Sequence, residues 1–325
     1  MLKIKKKSFF ILSILVIISF IFILNELLNI EKEKKSYNIT IITDDEINEG
    51  SITMKSGADK AAEEMNVDIR FVSLSKDDFL EEQKELLMGE NNGETDAILI
   101  EPIRYEYLKD TIEKVNKFVP VISLQSYSEK NYKINSVVFD NFNMGVDIGN
   151  EILKSVSGEK NLVIVKDDLK SDVSEERCKG LISALQGNIQ YKTVEFKNSK
   201  HMTYYETAKH LIESDNADII VTFNTKILES VSQAKSDLLG VKSDVSNIKV
   251  YGTGNTRKVI SFLDQNIING IALENEFNIG YLGVKNALNL IKDNEFKSDI
   301  ITSKIITRDN MYSVENQRLL FLFIR

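Results

Sequence analysis

Few side chains in this chain have a type and spacing that could make or break covalent bonds. Cys178 is the only cysteine, so no intramolecular disulfide, thiolate metal cluster or N-terminal lipidation point is available. The two histidines, His201 and His210, lack the spacing of a metal-binding pair and read as surface or half-buried structural residues. No Ser-His-Asp, Cys-His or paired-acid constellation can be assembled, which argues against an enzyme, and no cofactor is expected. Asp44, Asp45 and Glu46 form an acidic run without the alternating carboxylates of a calcium loop, so it reads as solvated or helix-capping. Gly252-Thr253-Gly254 lacks the downstream Gly and Lys that cradle phosphate, and reads as a glycine-bearing loop. What remains is hydrogen-bonding chemistry, from side chains such as Gln125, Ser126, Asn224 and Asn255, which suits holding a small polar molecule.

Such side chains must be placed by the elements before them. Short apolar runs at 38–43, 68–73, 97–100 and 119–124 read as buried strands, and helical periodicity fills 51–65, 77–88 and 105–117 between them. The pattern repeats with strands at 136–140, 161–166, 191–196, 218–223 and 249–253, and helices at 143–157, 171–185, 203–215, 226–238 and 256–265. A strand at 270–273, a helix at 278–293 and a strand region at 300–306 follow. Strict alternation predicts an α/β fold with two doubly wound parallel-sheet lobes. Ligands of open parallel sheets sit beyond the carboxyl ends of the strands, so facing lobes share one cleft. The strand-end residues are Asp44 to Asn48, Glu101 to Arg104, Gln125 and Ser126, Asp140 and Asn141, Asp167 and Asp168, Asn224, and Gly254 and Asn255.

With 325 residues, 42% hydrophobic and 28% charged, the chain has the length of two ordinary domains and the composition of a packed protein. The formal charge of −8 understates the acidity of the body, because residues 1–35 hold seven lysines against three acids and leave −12 beyond them. An acidic body argues against nucleic acid as a partner. Lys3, Lys5, Lys6 and Lys7 precede an apolar run from Phe9 to Leu24 interrupted only by Ser13 and Ser19. A cleaved signal peptide and a retained anchor both fit a cationic flank followed by an apolar run. The run exceeds a signal peptide's apolar stretch and no small-x-small site follows it. The expectation is therefore a transmembrane helix, with 1–35 as basic cytoplasmic flank, anchor and linker. The apolar end Leu319 to Ile324 reads as an added strand of the second lobe or an exposed patch.

Three stretches carry a family resemblance. Gly57-Ala58-Asp59-Lys60-Ala61-Ala62, Phe139-Asp140-Asn141-Phe142-Asn143-Met144-Gly145 and Glu176-Arg177-Cys178-Lys179-Gly180-Leu181 lie in order along the alternation. They resemble the first-helix, crossover and Arg-bearing helix elements of the type I periplasmic-binding-protein family, in its sugar-binding, ribose-binding-protein-like branch. Met144 stands where the crossover usually has Gly. The resemblance spans about Asn38 to Asp309. It implies three crossings between lobes, near Asp140, Glu274 and Ser303. One lobe then holds 36–139 plus 275–302, and the other 140–274 plus 303–325.

By that resemblance the ligand-binding residues include Asn48, Arg177 and Asn224, with Glu274 in place of a late Gln. The family's aromatic pair is replaced by Gly50 and Ser51, its Asp-Arg pair by Gln125-Ser126, and an Asp by Gly254. A cleft built this way would rely on polar contacts rather than ring stacking. Arg177 reads either as a ligand clamp or as a helix-surface residue paired with Glu175 or Glu176. Asn224 reads as a helix cap, a ligand contact or both. The implied function is extracytoplasmic binding of a small polar ligand, a sugar or sugar-like molecule, reported to a sensor histidine kinase in the membrane. The alternative is delivery to an ABC permease.

Overall fold

The computed structural model describes residues 13–24, 36–43, 49–74, 79–90, 93–125, 135–167, 171–199, 202–214, 217–241, 243–292 and 298–320. Residues 13–24 form a helix, α1, whose apolar side chains, such as Phe22 at 68%, are exposed. Among the described residues no helix is long and apolar enough to cross a membrane. The basic flank and the start of the apolar run lie outside them.

The first lobe is built from β1 (Tyr37–Thr43), α2 (Glu49–Met65), β2 (Val67–Ser73), α3 (Phe79–Gly89), β3 (Ala97–Ile100), α4 (Tyr105–Val115), β4 (Val121–Leu124) and β5 (Asn135–Phe139). The second lobe begins with α5 (Asn141–Ser155), β6 (Asn161–Asp167), α6 (Asp172–Leu185) and β7 (Gln190–Phe196). It continues through α7 (Tyr204–Ser214), β8 (Ile219–Thr222), α8 (Thr225–Leu238), β9 (Lys249–Thr253), α9 (Arg257–Asp264) and β10 (Gly270–Leu273). Then α10 (Glu276–Ile291) and β11 (Asp299–Ile301) return to the first lobe, and β12 (Lys304–Ile306) and α11 (Val314–Leu320) to the second.

The sheet orders are β11-β5-β4-β3-β1-β2 and β12-β10-β9-β8-β6-β7, the same winding twice. Helices cover both faces, so the inner strands are apolar throughout. All of Ala97-Ile98-Leu99-Ile100 is buried, as is all of Ile219-Ile220-Val221-Thr222. In each lobe the order reverses between the first and third strands, and this is where loops diverge and leave a crevice.

Two details depart from the sequence reading. The region 300–306 is two strands in different sheets, and β12 runs antiparallel to β10. Only Thr302 and Ser303 separate β11 from β12. With no room for a crossover, the chain enters the second sheet against its neighbour's direction. The apolar end starts as a helix rather than a strand: α11 carries Leu319 and buries Leu320 in the second lobe, and the remainder of the run lies outside the described residues.

Candidate functional site

A cleft of about 340 Å³ lies between the lobes at the carboxyl ends of both sheets. Its first-lobe wall includes Ser51, Phe79, Glu101 and Gln125, and its second-lobe wall Asp167, Arg177, Tyr204, Phe223, Asn224 and Glu274.

Arg177 organises the second wall. It projects from α6, which crosses α5 so tightly that a methyl group on Gly145 would overlap the Arg177 carbonyl oxygen, and one on Gly180 that of Phe142. Only glycine permits this approach, and the approach drives the Arg177 backbone toward the cleft. The side chain is 3% exposed. Its Nε donates to Asn141 Oδ1 at 2.8 Å, and Nη1 donates to Glu274 Oε1 at 2.7 Å and to Thr253 Oγ1 at 3.2 Å. Among the described residues Nη2 is buried without a hydrogen-bond partner. A buried guanidinium donor left unmade is costly, and the cost is relieved by an acceptor entering the cleft.

The pairing of Arg177 with Glu175 or Glu176 is corrected. Glu175 takes Lys166 at 3.2 Å and Glu176 takes Lys179 at 2.5 Å, both nearer the surface, while Arg177 turns inward to Glu274. The ion pair joins residues 97 apart in sequence, beyond any local rule.

Asn141 links the two walls. It follows the crossing at Asp140, accepts from Arg177, and donates through Nδ2 to the Gln125 backbone oxygen at 3.1 Å. Gln125 itself sits at φ +61, a left-handed conformation rare outside glycine, at the end of β4. Asn224 has both of its expected kinds of position. Its Oδ1 caps α8 by accepting from Ile227 N at 3.1 Å, and the residue lines the cleft with Nδ2 donating to Asp167 Oδ2 at 2.7 Å. Asn255 lies outside the cleft lining and donates to Glu276, which belongs to it, at 3.3 Å. Asn48 and Ser126 lie outside the described residues.

The expectation of a wall without rings also needs correcting. Phe79 opens α3, Tyr204 opens α7 and Phe223 follows β8, and all three line the cleft. They come from elements other than the start of α2, where Gly50 and Ser51 stand, so scanning that segment alone misses them. Asp167 was visible as a strand end; its partnership with Asn224 was not. Across the cleft, the Asp172 carboxylate of α6 accepts the Tyr105 backbone N–H of α4 at 2.8 Å. Arg104, at the N-cap of α4, makes no side-chain capping bond, so the second lobe caps a helix of the first.

Burial pushes the Cys178 thiol up to about 11, so it stays protonated near neutrality. No group of His, Cys, Asp or Glu able to hold a metal occurs among the described residues.

A family model described as the periplasmic binding protein domain matches residues 39–295. Among solved structures, a carbohydrate transporter solute-binding protein from Agrobacterium radiobacter, in complex with D-arabinose, superposes with TM-score 0.78 at 22% identity, covering 89% of this chain and all of that one. The myo-inositol-binding protein of Caulobacter, bound to myo-inositol, gives 0.76 at 17% identity over 88% of this chain and 98% of its own. A chain of the XylFII-LytSN complex gives 0.72 at 19% identity, with 84% and 98% covered. No curated protein sequence matches the chain.

Proposed function

The chain belongs to the periplasmic binding protein domain family, and on that premise we propose that it is an extracytoplasmic receptor whose lobes close on a small sugar or sugar-like ligand. The observation that carries this reading is the Arg177 guanidinium, buried on the cleft wall with Nη2 unpartnered. A hydroxyl or ring oxygen satisfies that donor, and the rings of Phe79, Tyr204 and Phe223 offer apolar faces to a sugar's C–H surface. Neighbours of the same fold bind D-arabinose and myo-inositol, which fits a cleft of this size.

The reading includes an apolar N-terminal anchor that keeps the lobes at the outer face of the membrane, and a sensor histidine kinase that responds to their closure. The fold shared with a chain of the XylFII-LytSN complex supports that partner. Delivery to an ABC permease is the second reading, favoured by the fold shared with a sugar ABC transporter's binding protein from Bacillus halodurans.

Thermal unfolding across a panel of pentoses, hexoses and inositols tests the ligand class, since a ligand of the folded state alone must raise the midpoint. A flat panel overturns the reading. Adding the bound protein to membranes carrying each candidate partner separates the roles: ligand-dependent kinase phosphorylation supports sensing, and ligand-dependent ATP hydrolysis by the permease supports transport.

A further inference from the structure

Asp167 closes β6 at the point where the second sheet reverses its order, lines the cleft, and is 6% exposed. Among the described residues its carboxylate receives one side-chain hydrogen bond, from Asn224 Nδ2 at 2.7 Å, and no lysine or arginine nitrogen stands within ion-pair distance. Two described cations near this strand end are engaged elsewhere, Lys166 with Glu175 and Arg177 with Glu274. A carboxylate held so far from water without a counter-charge is expensive, and the expense falls when a cation enters beside it.

Other features of the cleft agree. Among the described lining residues acids outnumber bases, Glu101, Asp167, Glu274 and Glu276 against Arg177 and Lys226, which disfavours an anionic ligand. The faces of Phe79, Tyr204 and Phe223 are suited to a desolvated ammonium. The unpartnered Arg177 Nη2 asks for an oxygen acceptor in the same space. A molecule that answers all of these carries a protonated amine and hydroxyl groups.

We propose that the cleft is built for an amino sugar, whose ammonium group is received by Asp167 while a hydroxyl accepts from Arg177. This rests on the reading of the cleft as a sugar site.

Calorimetric titration of the full chain at pH 7 compares D-glucosamine, D-galactosamine and D-mannosamine with their neutral parents, which keep the bulk and lose the charge, and with their N-acetyl forms, which lose the charge and add an acetyl group. For the stereochemistry that fits, the amine should bind at least roughly tenfold more tightly than both congeners, the margin of a charge-assisted hydrogen bond over a neutral one. In Asp167→Asn the ratio of amine to neutral-parent affinity, read within the variant itself, should shrink to about one. A neutral parent or N-acetyl form binding as tightly as the amine overturns the proposal and leaves the sugar reading standing. Absence of binding by every sugar overturns both. The comparison with the neutral parents needs only the wild-type chain, so the proposal is decided even if Asp167→Asn does not fold.

Discussion

Arg177 holds two jobs that substitutions can separate. Replacing it with Ala leaves the Glu274 carboxylate, 11% exposed, without its cation, so the unliganded fold should lose about 3–5 kcal/mol. Arg177→Lys keeps a cation for Glu274 but gives up the fork that reaches Asn141 and the free Nη2. Its melting temperature should fall less than that of Arg177→Ala, while ligand affinity drops about tenfold to a hundredfold, the worth of a hydrogen bond to a charged group. Equal affinity in Arg177→Lys and wild type would place the ligand elsewhere. Lys235 gives an independent handle on stability. It is 2% exposed, its ammonium donates to the Ile267 carbonyl at 2.7 Å, and burial lowers its pKa from 10.5 to about 8. The unfolded chain therefore binds this proton more tightly, and the resulting penalty is full below about pH 8 and fades as pH rises toward 10.5. Lys235→Met should raise stability at pH 7 by up to about 3 kcal/mol and remove the rise in stability expected of the wild type between those values. Chemical denaturation at several pH values checks both, and a wild-type minus variant difference independent of pH would contradict the assignment.

The crossing of α5 and α6 places Arg177, and it depends on two glycines in reciprocal contact with backbone. Gly180→Ala should cost at least about 1–3 kcal/mol as the helices separate, and should weaken ligand binding along with stability because Arg177 moves with its helix. An alanine variant with wild-type melting would mean that the crossing is looser than described. These glycines were legible in the sequence as motif positions, as were the strands and helices themselves, because parallel strands covered on both faces are written as unbroken apolar runs. Residues 300–306 were legible only in part: Thr302-Ser303-Lys304 interrupts the apolar stretch near the crossing that the resemblance implied, but nothing in the sequence marks the antiparallel direction of β12. The ring-bearing wall was illegible for a related reason. Phe79, Tyr204 and Phe223 are brought together by three separate elements, and each alone looks like an ordinary core residue. Asn224, by contrast, could be read from its place after a buried strand and before a helix, which is enough to specify a cap.

The lobes are joined by thin passages after Phe139, after Leu273 and through Thr302 and Ser303, so their relative motion is the natural way for the molecule to respond to a ligand. The Asp172 carboxylate on the α4 N-terminus joins the two lobes, so separating them breaks this bond. Asp172→Ala should therefore cost the unliganded chain about 1 kcal/mol, the worth of a helix cap, weaken ligand binding, and enlarge the radius of gyration in scattering at subsaturating ligand. Binding and radius identical to wild type would remove Asp172 from the closure equilibrium. The most direct examination of the whole account is a crystal structure of the chain with a tightly bound amino sugar, or its neutral parent, in place. The account predicts density in the interlobe cleft, with a ligand oxygen about 3 Å from the Arg177 Nη2 that otherwise has no partner. A ligand bound outside this cleft, or bound within it while Nη2 remains unpartnered, would contradict it.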